Sequence, residues 1–166
     1  IVGMSISYRL ASINNPDKKK YIFPAAIQDS KCAVRWLRAN AAVYNVDTER
    51  IGVMGSSAGA HLAMLLAYSP SNIPELEGDG GYGEYSSHVK AVVNFFGPSD
   101  IMNKNGFLDA QIRSVTNFLG GTIDDIPEVY KLANPFTYIT STSVPTLSIH
   151  GTDDNVVPIS QSITLS

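Results

Sequence analysis

Gly55-Ser56-Ser57-Ala58-Gly59 stands between a short apolar stretch, residues 51–55, and a long apolar run, residues 58–68. The first reads as a strand. The second reads as a helix apolar on most sides, hence buried. A G-x-S-x-G pentapeptide at a strand-to-helix junction has a specific physical meaning. The turn must be sharp, so Ser57 is expected in a strained backbone conformation with its hydroxyl lifted above the strand ends. Side chains two positions to either side would collide with the neighbouring strand and helix, which accounts for Gly55 and Gly59. The first amides of the helix have no intrahelical acceptor and point at the same spot. Ser57 is therefore the candidate nucleophile. The Ala58 N–H is the candidate donor to an oxyanion formed beside it.

The same alternation continues outward. Residues 1–8 (IVGMSISY) read as a strand and 12–20 as a polar loop. Residues 24–43 read as a helix with an apolar stripe of Ala26, Ile27, Ala33, Val34, Leu37 and Ala41, opened by Pro24. Residues 89–96 (VKAVVNFF) form a nearly continuous apolar strand, as in a parallel sheet covered on both faces. Residues 111–119 and 126–132 read as helices, 146–150 as a strand, and 159 onward as a helix start. Strands alternating with helices imply an α/β domain with a parallel sheet. Residues 70–87 form a long loop rich in Gly, Pro and acid, the kind of loop that often rims a binding site.

Composition narrows the function classes. Of the 166 residues, 44% are hydrophobic and 16% charged, a core-forming balance. The net charge of −3 does not suit a nucleic-acid surface. The one cationic run, Lys18-Lys19-Lys20, reads as a solvated loop. Cys32 is the single cysteine and sits within a helical pattern, so it reads as a packed thiol. No apolar stretch is long enough to span a membrane. Glu75, Glu77, Asp79 and Glu84 do not have the spacing of a calcium loop and read as a solvated acidic loop. No residue pattern calls for a metal or a cofactor. Oligomeric state and compartment stay open.

A serine nucleophile needs a base, usually a histidine oriented by a carboxylate. His150-Gly151-Thr152-Asp153-Asp154-Asn155-Val156-Val157-Pro158 follows the strand 146–150, and strand ends are where such acids sit. The histidines fit the base less well. His61 lies one helical turn after Ser57 and reads as packed. His88 reads as a surface residue. His150 reads as structural support for the acid loop.

Several segments together resemble a known family. These are Tyr8-Arg9-Leu10; Phe23-Pro24-Ala25-Ala26; Val34-Arg35-Trp36-Leu37-Arg38-Ala39-Asn40-Ala41-Ala42; Asp47 with Arg50-Ile51-Gly52-Val53; and Gly55 to Ala63. They resemble α/β-hydrolase carboxylesterases of the hormone-sensitive-lipase-like group. Pro74-Glu75-Leu76-Glu77-Gly78, Ser86-Ser87 and Phe96-Gly97-Pro98-Ser99-Asp100 are most similar to the bifunctional acetylxylan/feruloyl esterases among them. The resemblance implies a partial α/β-hydrolase catalytic domain over 1–166. It places the acid at Asp154 within H-G-x-x-D-x-x-V-P, with Asp153 as a turn residue. It implies a His-Gly-Gly oxyanion segment before Ile1 and the catalytic histidine after Ser166. The expected substrate is a small-molecule or carbohydrate ester, with acetyl or feruloyl groups on plant polysaccharide. Two further readings share these residues: a serine peptidase of the prolyl-oligopeptidase type, and a non-catalytic α/β-hydrolase-like binding module. If the strand 1–8 keeps the family's place, it stands two strand spacings from the strand 51–55, with a gap between them.

Overall fold

A computed structural model of the chain describes residues 1–11 and 21–165. Three parallel strands make its sheet: β1 (Val53–Ser56), β2 (Val92–Phe95) and β3 (Thr146–Ile149), in the spatial order β1-β2-β3. The register sets Val53 against Val92 and Val92 against Thr146, and runs on to Ser56–Phe95–Ile149. Side chains alternate along each strand. Val53, Gly55, Val92, Asn94, Thr146 and Ser148 therefore share one face, and Met54, Ser56, Val93, Phe95, Leu147 and Ile149 share the other.

The first face lies under the helix α3 (Ala58–Tyr68), whose residues from Ala60 to Ala67 are all buried. That sequence, apolar nearly all round, needs cover on every side. It obtains it from β1 and β2 beneath and from the helix α1 (Ala25–Ala39) alongside. Ala26, Ile27 and Val34 of α1 join Leu62, Met64, Leu65, Leu66 and Val92 in one apolar cluster. Each large side chain buried there contributes about 1.5–3 kcal/mol. Asn94 is fully buried in the middle of β2 because its amide is satisfied. Its Oδ1 accepts from Gly97 N at 2.8 Å, and its Nδ2 donates to Ser148 Oγ at 3.1 Å.

Several expectations change. Among the described residues, the second sheet face is left largely open: Met54 is 66% exposed, Leu147 59% and Ile149 46%. The apolar run 89–96 reads alike whether its second face is covered or not, because the pattern carries no information about what lies opposite. Residues 1–8 form no strand. None of their backbone groups pairs with another described segment, and a strand exists only as part of a ladder. No ladder links them to β1, so the sheet has not closed up on that side. The helix expected over 24–43 breaks at Asn40, whose Nδ2 turns back onto the Trp36 carbonyl at 2.8 Å. A short helix α2 (Ala41–Tyr44) follows. Lys18, Lys19 and Lys20 lie outside the described residues.

The long loop 70–87 is not a rim. It carries a helical turn, α4 (Pro74–Glu77), that packs against α1. Glu77, expected in solvent, pairs with Lys31 at 2.8 Å and Arg35 at 2.7 Å, and accepts from Ser87 Oγ at 2.8 Å. The Cys32 thiol meets the Gly80 carbonyl at 2.9 Å. The helices α5 (Asp109–Leu119) and α6 (Pro127–Ala133) connect β2 to β3, and α7 (Ser160–Ile163) follows the loop after β3.

Candidate active site

β1 ends at Ser56 and α3 begins at Ala58, so Ser57 makes the whole turn. Its φ of 51° and ψ of −121° lie where L-residues rarely go, a conformation that costs about 1–3 kcal/mol. Both of its backbone groups are engaged. Ser57 N donates to Phe95 O at 2.9 Å, and its carbonyl accepts from Ala60 N and His61 N. That leaves the hydroxyl exposed and, among the described residues, without a partner. Ala58 and Gly59 precede the first amides that find an intrahelical acceptor, so their N–H groups face the same turn.

The two glycines differ. A Cβ on Gly55 would overlap the Gly59 carbonyl, so Gly55 is required where strand and helix cross. A Cβ on Gly59 would meet nothing within 4 Å, so the expected collision there is absent among the described residues. The outer glycine only has to let the inner one approach.

Beside Ser57 opens a cavity of about 610 Å³. Its walls are mostly apolar: Leu62, Pro98, Ile101, Phe107, Val115, Phe118 and Val157. Tyr8 and Arg9 close one side. Arg9 is pinned to α1 by Asp29, which its N and Nε reach at 2.8 and 3.0 Å, and by the Ala25 carbonyl at 3.2 Å.

The loop after β3 separates the two aspartates. Asp153 is exposed. Asp154 turns back into its own loop, where Oδ1 accepts from Val156 N at 2.8 Å and Val157 N at 2.9 Å. Those amides, Val157 first, hold the carboxyl below the ordinary aspartate range. Among the described residues, the polar group recorded at Oδ2 is His150 Nε2, at 3.5 Å, so that oxygen can take a further donor.

Among the described residues, no histidine ring hydrogen-bonds to the Ser57 hydroxyl. His150 spans the acid loop: Nε2 lies 2.9 Å from Val157 O and Nδ1 lies 2.8 Å from Ser162 Oγ. A carbonyl only accepts, so Nε2 carries the proton and Nδ1 accepts from the serine. His61 is buried, with Nδ1 donating to Pro98 O at 3.0 Å and its ring edge against Phe118. Burial pushes it down to about 4. His88 is exposed. Among the described residues, no three His, Cys, Asp or Glu side chains gather where a metal ion could bind.

Sequence reasoning missed two features next to this site. Phe96, at the end of β2, also has positive φ, 44°, so the two neighbouring strands both end in strained turns. Gln161 of α7 hydrogen-bonds into the second of these turns. Phe96 precedes a glycine, which is a weak local signal. Gln161 lies in a polar helix start and carries none.

Comparison with known proteins bears on the fold and on the class of relatives. Esterase LipQ of Mycobacterium tuberculosis is 32% identical over 160 residues, 96% of this chain but 37% of LipQ. The chain thus spans little more than a third of that relative. A bifunctional GH43-CE protein of Bacteroides eggerthii has 38% identity and a TM-score of 0.76, covering 86% of this chain and 20% of that one. An acetyl ester-xyloside bifunctional hydrolase of Caldicellulosiruptor lactoaceticus has 28% identity and a TM-score of 0.70, covering 87% and 50%. Residues 3–166 match the BD-FAE family, and with the parallel sheet, the strained serine turn and these esterase relatives the chain belongs to that family of the α/β-hydrolase fold.

Proposed function

We propose that the protein hydrolyses carboxylic esters through an acyl-enzyme at Ser57. The observation that carries this reading is the strained Ser57, exposed at a strand-to-helix turn beside a cavity of about 610 Å³, its hydroxyl without a partner among the described residues. Ser57 Oγ attacks the ester carbonyl carbon and its proton passes to an imidazole base. The resulting oxyanion takes the Ala58 N–H as donor. Collapse expels the alcohol, which receives that proton, and leaves Ser57 acylated. Water, deprotonated by the same base, then attacks the acyl carbon and releases the acid. Asp154 is the acid that orients the base through Oδ2, its Oδ1 being held by the loop. His61, His88 and His150 are all placed otherwise, so we assign the base to a histidine outside residues 1–166.

For the substrate, we infer acetyl or feruloyl esters of plant polysaccharide. The relatives named as an acetyl ester-xyloside hydrolase and a GH43-CE protein support this, as does a cavity with apolar walls and an open mouth.

The test uses the protein at its natural length. A fluorophosphonate is expected to label Ser57 stoichiometrically, and Ser57→Ala to lower kcat for a small acetate ester by about 10⁴ to 10⁶. A Ser57→Ala variant that keeps wild-type turnover overturns the proposal. Release of acetate or ferulate from xylan, set beside release from simple alkyl esters, tests the substrate class.

A further inference from the structure

We infer that Gln161 is a positioning residue: it locks the loop carrying Asp154 onto the strained turn after β2, so that the carboxylate and the Pro98 wall of the cavity are held as one body. The consequence for catalysis rests on the ester-hydrolysis reading above. The mechanical coupling does not.

Gln161 is 3% exposed. A buried amide is costly unless it is paired, and this one has partners on both its oxygen and its nitrogen. Its Oε1 accepts from Ser99 N at 2.9 Å and Asp100 N at 2.8 Å, and its Nε2 donates to Asp100 O at 3.3 Å. Ser99, itself buried, donates its hydroxyl to the Gln161 carbonyl at 2.6 Å. For packing alone, an apolar side chain of this size would serve with less desolvation.

The two segments so joined both serve the cavity. On one side is the turn after β2: Phe96 at positive φ, Gly97 with room for no Cβ beside Ala60, and Pro98, which lines the cavity and holds His61. Asn94 and Asn134 brace that turn from elsewhere, through Gly97 N and Ile101 N. From the acid-loop side Gln161 supplies the side-chain hydrogen bonds to Ser99 and Asp100, beside the edge-on contact of the Phe96 and His150 rings. On the other side, Val156 and Val157 both give their amides to Asp154 Oδ1 and both line the cavity. Pro158, Ile159 and Ser160 link them to Gln161, while His150 ties the loop's entry to Val157 O and Ser162 Oγ. A slip of α7 would therefore be passed along three residues to the segment that aims Asp154.

The experiment follows backbone amide exchange in the natural-length protein, as wild type, Gln161→Ala and Gln161→Glu. The glutamate keeps an acceptor for the Ser99 and Asp100 amides. In Gln161→Ala, Val156 and Val157 are expected to exchange about tenfold faster, with the β2 ladder unchanged, and Gln161→Glu to restore most of the protection. Per active site counted by phosphonate titration, kcat is expected to fall about 10- to 100-fold with KM little changed. If Ser99 and Asp100 open while Val156 and Val157 exchange at the wild-type rate, the coupling is overturned. Equal loss of protection across the whole sheet overturns it too. Should Gln161→Ala not fold, Ser99→Ala is read in the same way. A wild type that neither turns over esters nor labels at Ser57 sinks the hydrolase reading, and the exchange result still decides the coupling.

Discussion

His61 shows what one side chain does when its neighbourhood forbids a charge. It lies one turn into α3, where its backbone N–H closes the first turn on Ser57 O. Nδ1 is fixed by the Pro98 carbonyl, which demands a proton there, and Nε2 is buried without a partner among the described residues. Charging the ring would put a second proton into that apolar shell, so burial lowers its pKa from 6.5 to about 4. The folded value lies below the unfolded one, so between those two pH values the unfolded chain binds the extra proton. Stability is complete above about 6.5, declines as pH falls and levels off below about 4. The loss at pH 5 relative to neutral pH is about 2 kcal/mol from this residue alone. Denaturant titrations of wild type and His61→Gln at pH 7 and pH 5 test this. The glutamine can still donate to Pro98 O but does not titrate, so the wild type should lose the extra 2 kcal/mol. Parallel losses would mean that His61 is not held neutral by burial.

At the scale of elements, α1 and α4 are joined through charge as well as through apolar burial, Leu76 of α4 lying in the same apolar cluster as Ala26, Ile27 and Val34 of α1. Lys31 and Arg35 are one helical turn apart on α1, and both aim at Glu77. Lys31 is 1% exposed, and burial, its largest influence, lowers its pKa despite the carboxylate beside it. Burial alone would raise Glu77. Hydrogen bonds from Lys31 and Ser87 outweigh it and hold the carboxyl below its usual range. Breaking such a cluster by removing one partner is much worse than never having built it, because the remaining charges stay buried. Glu77→Ala is expected to destabilise the fold by about 3–5 kcal/mol in urea unfolding. Glu75→Ala, two residues away and exposed, should stay within about 0.5 kcal/mol. Similar midpoints for the two variants would show that the cluster is a surface pair after all. The coupling also explains why loop 70–87 does not border the cavity. It leaves the C-terminal end of α3, at the sheet edge opposite Ser57, and α1 holds it there.

For the molecule as a whole, the described residues hold the proposed nucleophile Ser57, the proposed oxyanion donor Ala58 and the proposed acid Asp154, while each histidine is committed elsewhere or lies in solvent. Residues 1–166 expressed alone should therefore hydrolyse a small acetate ester about 10⁴-fold or more slowly than the natural-length protein. The comparison needs purified 1–166, the natural-length protein and Ser57→Ala of each. Activity of 1–166 within tenfold of natural length, abolished by Ser57→Ala, would make His61, His88 or His150 the base. His150 would then have to give up both of its present partners.

Read by itself, the sequence determined whatever depends on neighbours along the chain. The turn at Ser57 was legible because a tight strand-to-helix crossing needs a residue without a side chain at Gly55. α3, α5 and α6 were legible because amphipathic or wholly apolar spacing is a local property. The turn role of Asp153 came instead from the family resemblance, which set the acid at Asp154. Tertiary structure alone decided what depends on distant partners. Glu77 looks like any solvated acid until Lys31, 46 positions away, is folded against it. Gln161 looks like a polar helix residue until Ser99, 62 positions away, offers its amide. Residues 1–8 have the composition of a strand, but a strand is a relation between two segments, and no pattern within one segment can supply the other.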